Sequence, residues 1–547
     1  MYISRQGRSW MMLIILFGVE LCAVAAADAD GQCDGDGCEE RHNAWTSQGE
    51  CLQERMGWDS FVCVCTASVC DMPGSIPHPQ QTDVYTVVTS DRQHHRFHVT
   101  HGTMSTAPTG GGHVVHLNTR IAYQQMLGFG GSVTDASGIV FFGLSEAVQD
   151  LLIRSYFGAD GIAYNIVRTP IGGSDFSKRP YSYDDRPGDV ALAHFALAQE
   201  DLMYKVPLLK RAQTLAKETS ELKIFASPWS PPAWMKNNGR FNGSGSLIPA
   251  MRQPYADYIV KFLDEYSSRG LRMWGITTQN EPLAGLQFDV AFNAMVFTAE
   301  DMRAWLVENL LPALTAGGHD DLELIISDQG RDHLPHYPAQ ILAHDELSRR
   351  VSGIGIHWYQ DTPENLHHLT ETRAVLPDYF TLHTEACLGY DSPPTERVKL
   401  GDWGRAERYA SSIIETSNRG TSGWVDWNLA LDLQGGPNWA SNFVDSPIIV
   451  DTEHDKFYRQ PMYYALGHFS KFVARGARAV YMSLLHAPLP GVAASAFLNP
   501  DGGVVVVLLN SEETETTVSL QPRMSQEKYI NIVLPAKSIQ TVLFRAT

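Results

Sequence analysis

No stretch downstream of residue 27 reaches about 18 uninterrupted apolar residues, the length a bilayer-spanning helix needs, so no transmembrane segment is expected in the mature chain. Basic residues are in deficit, 42 Lys and Arg against 61 Asp and Glu, giving a formal net charge of −19. A nucleic-acid partner would need a basic face, which this balance argues against. The patterns GxxxxGK[ST], HExxH and GxSxG do not occur, and neither "GFGGS" nor "PIGGSDF" completes GxGxxG. Nucleotide, zinc-protease and serine-hydrolase chemistry therefore have no motif to rest on. Cysteine is nearly absent beyond residue 70, where Cys387 stands alone.

Six of the eight cysteines crowd into Cys33, Cys38, Cys51, Cys63, Cys65 and Cys70. That density points to disulfides in an oxidising compartment. Zinc is the rival reading, but no CxxC pair or histidine at ligand spacing supports it. Spacing alone does not give the connectivity. The N-terminus agrees with secretion: Arg5 and Arg8 precede the apolar run Trp10 to Val19, and "AVAAA" supplies small residues for cleavage. Residues 1–27 read as a signal peptide and residues 28–50 as an acidic, Gly-rich leader without calcium-loop spacing. Asn242-Gly243-Ser244 is a glycosylation sequon. Twenty histidines qualify the charge: ionising all of them would bring the formal sum to about +1 and ease approach to anionic lipid.

At 547 residues, 44% apolar and 19% charged, the chain is globular and long enough for two or three domains. Eight short apolar runs recur between residues 121 and 431: "QMLGFGG", "IAYNIVRTPI", "LKIFASPW", "MWGITTQNEP", "LELIISD", "VSGIGIHWY", "YFTLHTEA" and "GWVDWNLAL". The intervening pieces, such as "PYADYIVKFLDEYSSRG", carry apolar residues at helical spacing. Eight strand-helix alternations predict an α/β fold, a (β/α)8 TIM barrel whose strand C-termini form the active face. The flanks, residues 82–120 and 479–547, alternate as short strands and predict an antiparallel β-sandwich built from both chain ends.

Glu281 closes the fourth run and Glu385 the seventh. Two carboxylates on one barrel face suit glycoside hydrolysis, one protonating the leaving oxygen and the other attacking the sugar carbon. Pro282 predicts extended backbone at Glu281. Asn280 is placed to bond a sugar hydroxyl. Arg168 is a candidate partner for Glu385 and Tyr359 a candidate donor to it, although an Arg–Glu pair on a rim is also an ordinary structural feature. Cys387, with His357 and His383 formally available as bases, reads as a buried, unreactive thiol. Trp229, Trp358, Trp424 and Trp427 lie at strand ends, where rings line sugar pockets or simply fill core.

Longer strings narrow this further. "GFGGSVTDA", "SPWSPPAWMKNNG", "NEPLAGL", "HWYQD", "TEACLG", "GWVDWNLALDLQGGPNWASNFVDSPIIVD" and "GHFSKF" together resemble the lysosomal glucosylceramidases, acid β-glucosidases of glycoside hydrolase family 30. "CLQERMGWDSFVCVCTASVCD" resembles the family's N-terminal double-disulfide segment, which implies Cys51–Cys63 and Cys65–Cys70, leaving Cys33–Cys38 as an extra pair. The resemblance implies Glu281 as acid/base, Glu385 as nucleophile, and glucose contacts from Asp175, Trp229, Asn280, Trp427 and Asn442. It places Arg168, His357 and Tyr359 around the nucleophile. It further implies a retaining mechanism on membrane glucosylceramide with no metal or cofactor, a lysosomal location reached by the secretory route (or secretion), a saposin-type activator and a lysosomal transport receptor.

The expected domains are a disulfide-rich segment 51–81 packing with about 432–458, a sandwich of 82–120 plus 477–547, and a catalytic barrel of 121–431 plus 459–476. Three departures stand out. The leader is long and acidic, "SDQGRDHLP" leaves Asp328 and Arg331 without an assigned role, and Gly172-Gly173 predicts a looser loop than the bulkier residues usual there.

Overall fold

The computed structural model describes residues 51–109, 112–287, 289–485, 488–522 and 527–545. The expected signal peptide, acidic leader and Cys33–Cys38 pair lie outside these residues.

All eight runs become strands of one closed parallel barrel: Gly128–Ser132, Ile166–Ile171, Lys223–Pro228, Gly275–Thr277, Glu323–Gly330, Val351–His357, Phe380–Glu385 and Thr421–Asn428. We number them one to eight in chain order. The barrel closes where strand eight pairs with strand one, Gly423 opposite Gly128. The glycines of "GFGGS" belong to this closure: a Cβ on Gly130 would sit 1.7 Å from the Ile166 carbonyl oxygen of strand two. Only a residue without a side chain lets the two strands approach so closely.

The two chain ends meet in a nine-stranded sheet wrapped around its own core of Val87, Leu117, Met482, Val506, Leu520 and Phe544. One pairing departs from the antiparallel expectation. Strand His113–Gln125 is long enough to serve both layers, running parallel to Thr516–Gln521 at its start and antiparallel to Arg478–Met482 further along. Helix Pro461–Ser470, buried along its whole length, seals this sheet to the barrel. On it, His468 shares hydrogen bonds with Thr541 Oγ1 at 2.8 Å and Ser90 Oγ at 2.9 Å.

A third sheet of five strands joins Val62–Cys65 to Lys456–Arg459. Disulfides Cys51–Cys63 and Cys65–Cys70 staple it. Buried Arg459 pairs with Asp71, and Tyr464 donates to the same carboxylate at 3.0 Å. Cys51–Cys63 closes a 12-residue separation. Replacing both cysteines by alanine should cost about 2–3 kcal/mol, read as an earlier thermal unfolding transition. Among the described residues no helix is long and apolar enough to cross a membrane.

Candidate active site

The barrel interior changes character along its axis. At its lower end Ile166, Phe225, Ile325, Leu382 and Val425 fill it. Two residues further along each strand the inward positions carry chemistry instead: Arg168, Ser227, Thr384 and Trp427. Period-two alternation predicts Ser327 on strand five. A register shift between Ser327 and Gln329, with positive φ at Ser327 (75°) and Asp328 (52°), brings Asp328 to the site instead.

Asp328 is the hub. Its carboxylate accepts from Arg168 at 2.8 Å, Thr277 at 2.7 Å and Thr384 at 2.6 Å, and faces His357 Nε2 at 3.0 Å. Burial opposes its charge, but Arg168 and His357 outweigh that and hold its carboxyl far below the usual range. The Asp328 carbonyl accepts the Glu281 N–H at 3.0 Å, so its main chain positions Glu281 directly. Arg168 also ion-pairs with Glu385 and donates to Asn280 at 2.9 Å. On its other side His357 Nδ1 faces Glu281 at 3.2 Å and Glu385 at 4.0 Å. Tyr359 donates to Glu385 at 2.8 Å.

Glu281 is not extended as Pro282 predicts: its φ is +43°. Strand four stops at Thr277, and the chain turns so that Glu281 donates to Asp328 and accepts from Ala284 N at 3.1 Å. These contacts hold a backbone state costing on the order of 1–3 kcal/mol.

Glu281 and Glu385 open into a cavity of about 250 Å3 that Asp175, Trp229, Asn280, Trp427 and Asn442 also line. Trp229 and Trp427 stack at 5.0 Å, and Arg168 lies 4.7 Å from the Trp229 ring centre. Asp175 accepts from Asn442 at 3.0 Å and from Asn438 at 3.4 Å, a partner that nothing in the sequence singled out. Burial and the nearby Glu385 push Asp175 up to about 7 despite these amides.

Other sequence candidates fall elsewhere. Trp358 and Trp424 are buried against Tyr409, outside the cavity. Cys387 borders the cavity 3.3 Å from the Tyr359 hydroxyl, but burial pushes its thiol well up, away from the reactive thiolate. Arg331 pairs with Asp361 at 3.1 Å and donates to Asn365 at 2.7 Å, fixing the loop after strand six. The Gly172-Gly173 loop is tied rather than loose: Lys205 Nζ donates to the Gly172 carbonyl at 3.1 Å, and Gly173 N–H to Tyr181 at 3.1 Å. A Cβ on Gly173 would press on the Tyr181 ring at 3.0 Å, which is why bulk is missing there.

Burial works against a charge on His357, but the Glu385 and Asp328 charges and hydrogen bonds with Asp328 and Glu281 raise it to about 10. A raised histidine contributes stability that is full below about 6.5 and fades as pH rises to about 10. The stability gap between wild type and His357→Gln should therefore shrink over that window, by up to about 1.4 kcal/mol per pH unit. Urea unfolding of both proteins from pH 5 to 10 checks it, and a pH-independent gap would contradict the assignment.

Two facing acids at the mouth of a parallel barrel, with aromatic walls and amide donors between them, define a TIM-barrel glycoside hydrolase. Known proteins agree. Residues 126–473 match the Glycosyl hydrolase family 30 TIM-barrel domain and residues 476–542 the Glycosyl hydrolase family 30 beta sandwich domain. The chain is 41% identical to the lysosomal acid glucosylceramidase of Mus musculus, over 90% of this chain and 95% of that one. It is 39% identical to putative glucosylceramidase 4 of Caenorhabditis elegans, over 89% and 93%. Among solved structures, SrfJ from Salmonella typhimurium superposes with a TM-score of 0.78 at 29% identity, covering 85% of this chain and all of that one. The chain belongs to glycosyl hydrolase family 30.

Proposed function

We propose that the chain hydrolyses glucosylceramide to glucose and ceramide as a retaining β-glucosidase of the lysosome. The observation that carries this reading is the facing of Glu281 and Glu385 across one small cavity, both within 4.8 Å of each other and of His357 by their nearest ligand atoms. That proximity lets both carboxylates reach one anomeric carbon, as a retaining pair must. The resemblance to glucosylceramidases over 89–90% of the chain supports the substrate class.

In the first step a Glu385 oxygen attacks the anomeric carbon while the bond from that carbon to the ceramide oxygen breaks. The Glu281 proton passes to that oxygen, and ceramide leaves. In the second step water attacks the same carbon, Glu281 takes the water proton, and the bond to Glu385 breaks to release glucose with its configuration retained. The contacts support this division of labour: Glu385 is fixed by an ion pair with Arg168 and by the Tyr359 hydroxyl, while Glu281 stands half-buried at the cavity beside His357. Asp175 with Asn442, Asn280 and the Trp229–Trp427 stack would hold the glucose unit. Asn242, whose Nδ2 lies 3.4 Å from the Ala291 carbonyl, is the proposed glycan site. The saposin-type activator and the lysosomal transport receptor belong to the same reading.

Purified protein is assayed at pH 5 on glucosylceramide in anionic vesicles, and beside it on a β-1,6-glucan and an aryl β-xyloside. The expected result is release of glucose from the lipid alone, first as the β-anomer by NMR. A 2-deoxy-2-fluoroglucoside should leave its label on the Glu385 peptide. Release of the α-anomer first would rule out retention, and preferential glucan or xyloside cleavage would move the substrate to another β-glycoside.

A further inference from the structure

Outside the charged hub, one buried cation beside the cavity has no anionic partner among the described residues. Lys236 follows the short 3-10 turn Ala233–Met235 after strand three and is 2% exposed. Its Nζ donates to the Phe241 carbonyl at 2.9 Å, to the Ala294 carbonyl, and to Ser230 Oγ at 3.3 Å. Ser230 and Phe241 belong to the loop after strand three, and Ala294 to the loop after strand four. Ser230 adjoins Trp229, which walls the cavity, and Ala294 follows Phe292, which lines it too. Phe241 lies in the turn between them. The main chain repeats the connection: Gly243 donates to Val290 at 2.8 Å, Ala294 to Phe241 at 2.9 Å and Val296 to Gly245 at 2.9 Å.

Burial, with repulsion from Arg240, the one charged group among the described residues that bears on it, pushes the Lys236 ammonium down to about 7. An ammonium buried without a carboxylate is expensive. Any of several apolar side chains would fill the volume at lower cost. What they would lack is three donors radiating from one atom to acceptors on two loops, and a lysine supplies these.

We propose that Lys236 is a positioning residue: by joining the loops after strands three and four it sets the distance between the Trp229 and Phe292 walls, and so the affinity of the cavity for its sugar. The proposal rests on the cavity being the sugar site, which wild-type turnover of an aryl β-glucoside tests separately.

Lys236→Met keeps the bulk and removes the donors. It should raise KM for 4-methylumbelliferyl β-glucoside about tenfold or more while kcat stays within about threefold, since misplacing a wall weakens binding before chemistry. Hydrogen exchange should quicken at the Gly243, Ala294 and Val296 amides and remain slow in the barrel strands. Lys236→Gln, whose amide keeps two donors, should fall between wild type and Lys236→Met in both readouts. An unchanged KM in either folded variant overturns the proposal. So does exchange that quickens evenly through the barrel, the mark of a merely structural lysine.

Discussion

Glu385→Gln should abolish turnover, with kcat falling by roughly 10^4-fold or more while the fold persists. The amide is nearly isosteric with the carboxylate and can still accept from Tyr359, but it cannot form the covalent bond to the anomeric carbon. Glu281→Gln should behave differently. It removes a proton carrier rather than the nucleophile, so the loss is about 10^2–10^4-fold on a lipid leaving group and smaller on an activated aryl one. Exogenous azide separates the two roles chemically. In Glu281→Gln it should capture the glucosyl-enzyme and yield the β-azide, whereas in a Glu385→Gly variant it should enter from the vacated face and yield the α-azide. Reversed products would exchange the roles of the two glutamates.

The second large effect is expected at Asp328. Asp328→Asn leaves the buried cations Arg168 and His357 without the carboxylate they share. Breaking a buried ion pair by removing one partner costs about 3–5 kcal/mol. Activity should fall by on the order of 10^2-fold even below the unfolding transition, because Arg168 orients Glu385 and His357 faces Glu281. The measurement is chemical unfolding together with kcat/KM at pH 5. Near wild-type values for both would show that the hub is not organised around Asp328. No compensation through acid is expected. A carboxyl held far below its usual range contributes stability above the unfolded value near 3.8, lost only as pH falls further.

Much of this molecule was readable as pattern. Eight apolar runs gave eight barrel strands, because a parallel strand buried on both faces needs continuous apolar sequence. The residues named for the site, from Arg168 on strand two to Asn442 after strand eight, gather at one end of the barrel. Most were readable because they sit in an apolar run or a long, distinctive string, whereas Asp175 came only from the family resemblance. Asn438 was missed because a second asparagine in a loop looks like any turn residue, and only its contact with Asp175 gives it meaning.

Asp328 marks the boundary between the two kinds of knowledge. Its charge and neighbourhood are in the sequence, but alternation assigns the inward place to Ser327, and only the shifted register of strand five brings Asp328 to Arg168 and His357. Glu281 is similar. Proline chemistry argues for extended backbone, yet long-range bonds to strand five hold it at positive φ. Lys236 would pass for a surface lysine until two loops close on it. Local sequence determined the strands, the disulfide-rich segment and which residue types meet at the barrel mouth, since those follow from periodicity and short-range chemistry. The tertiary structure alone decided which charge faces which, because that depends on a one-residue shift in the pairing of strands five and six, which periodicity does not encode.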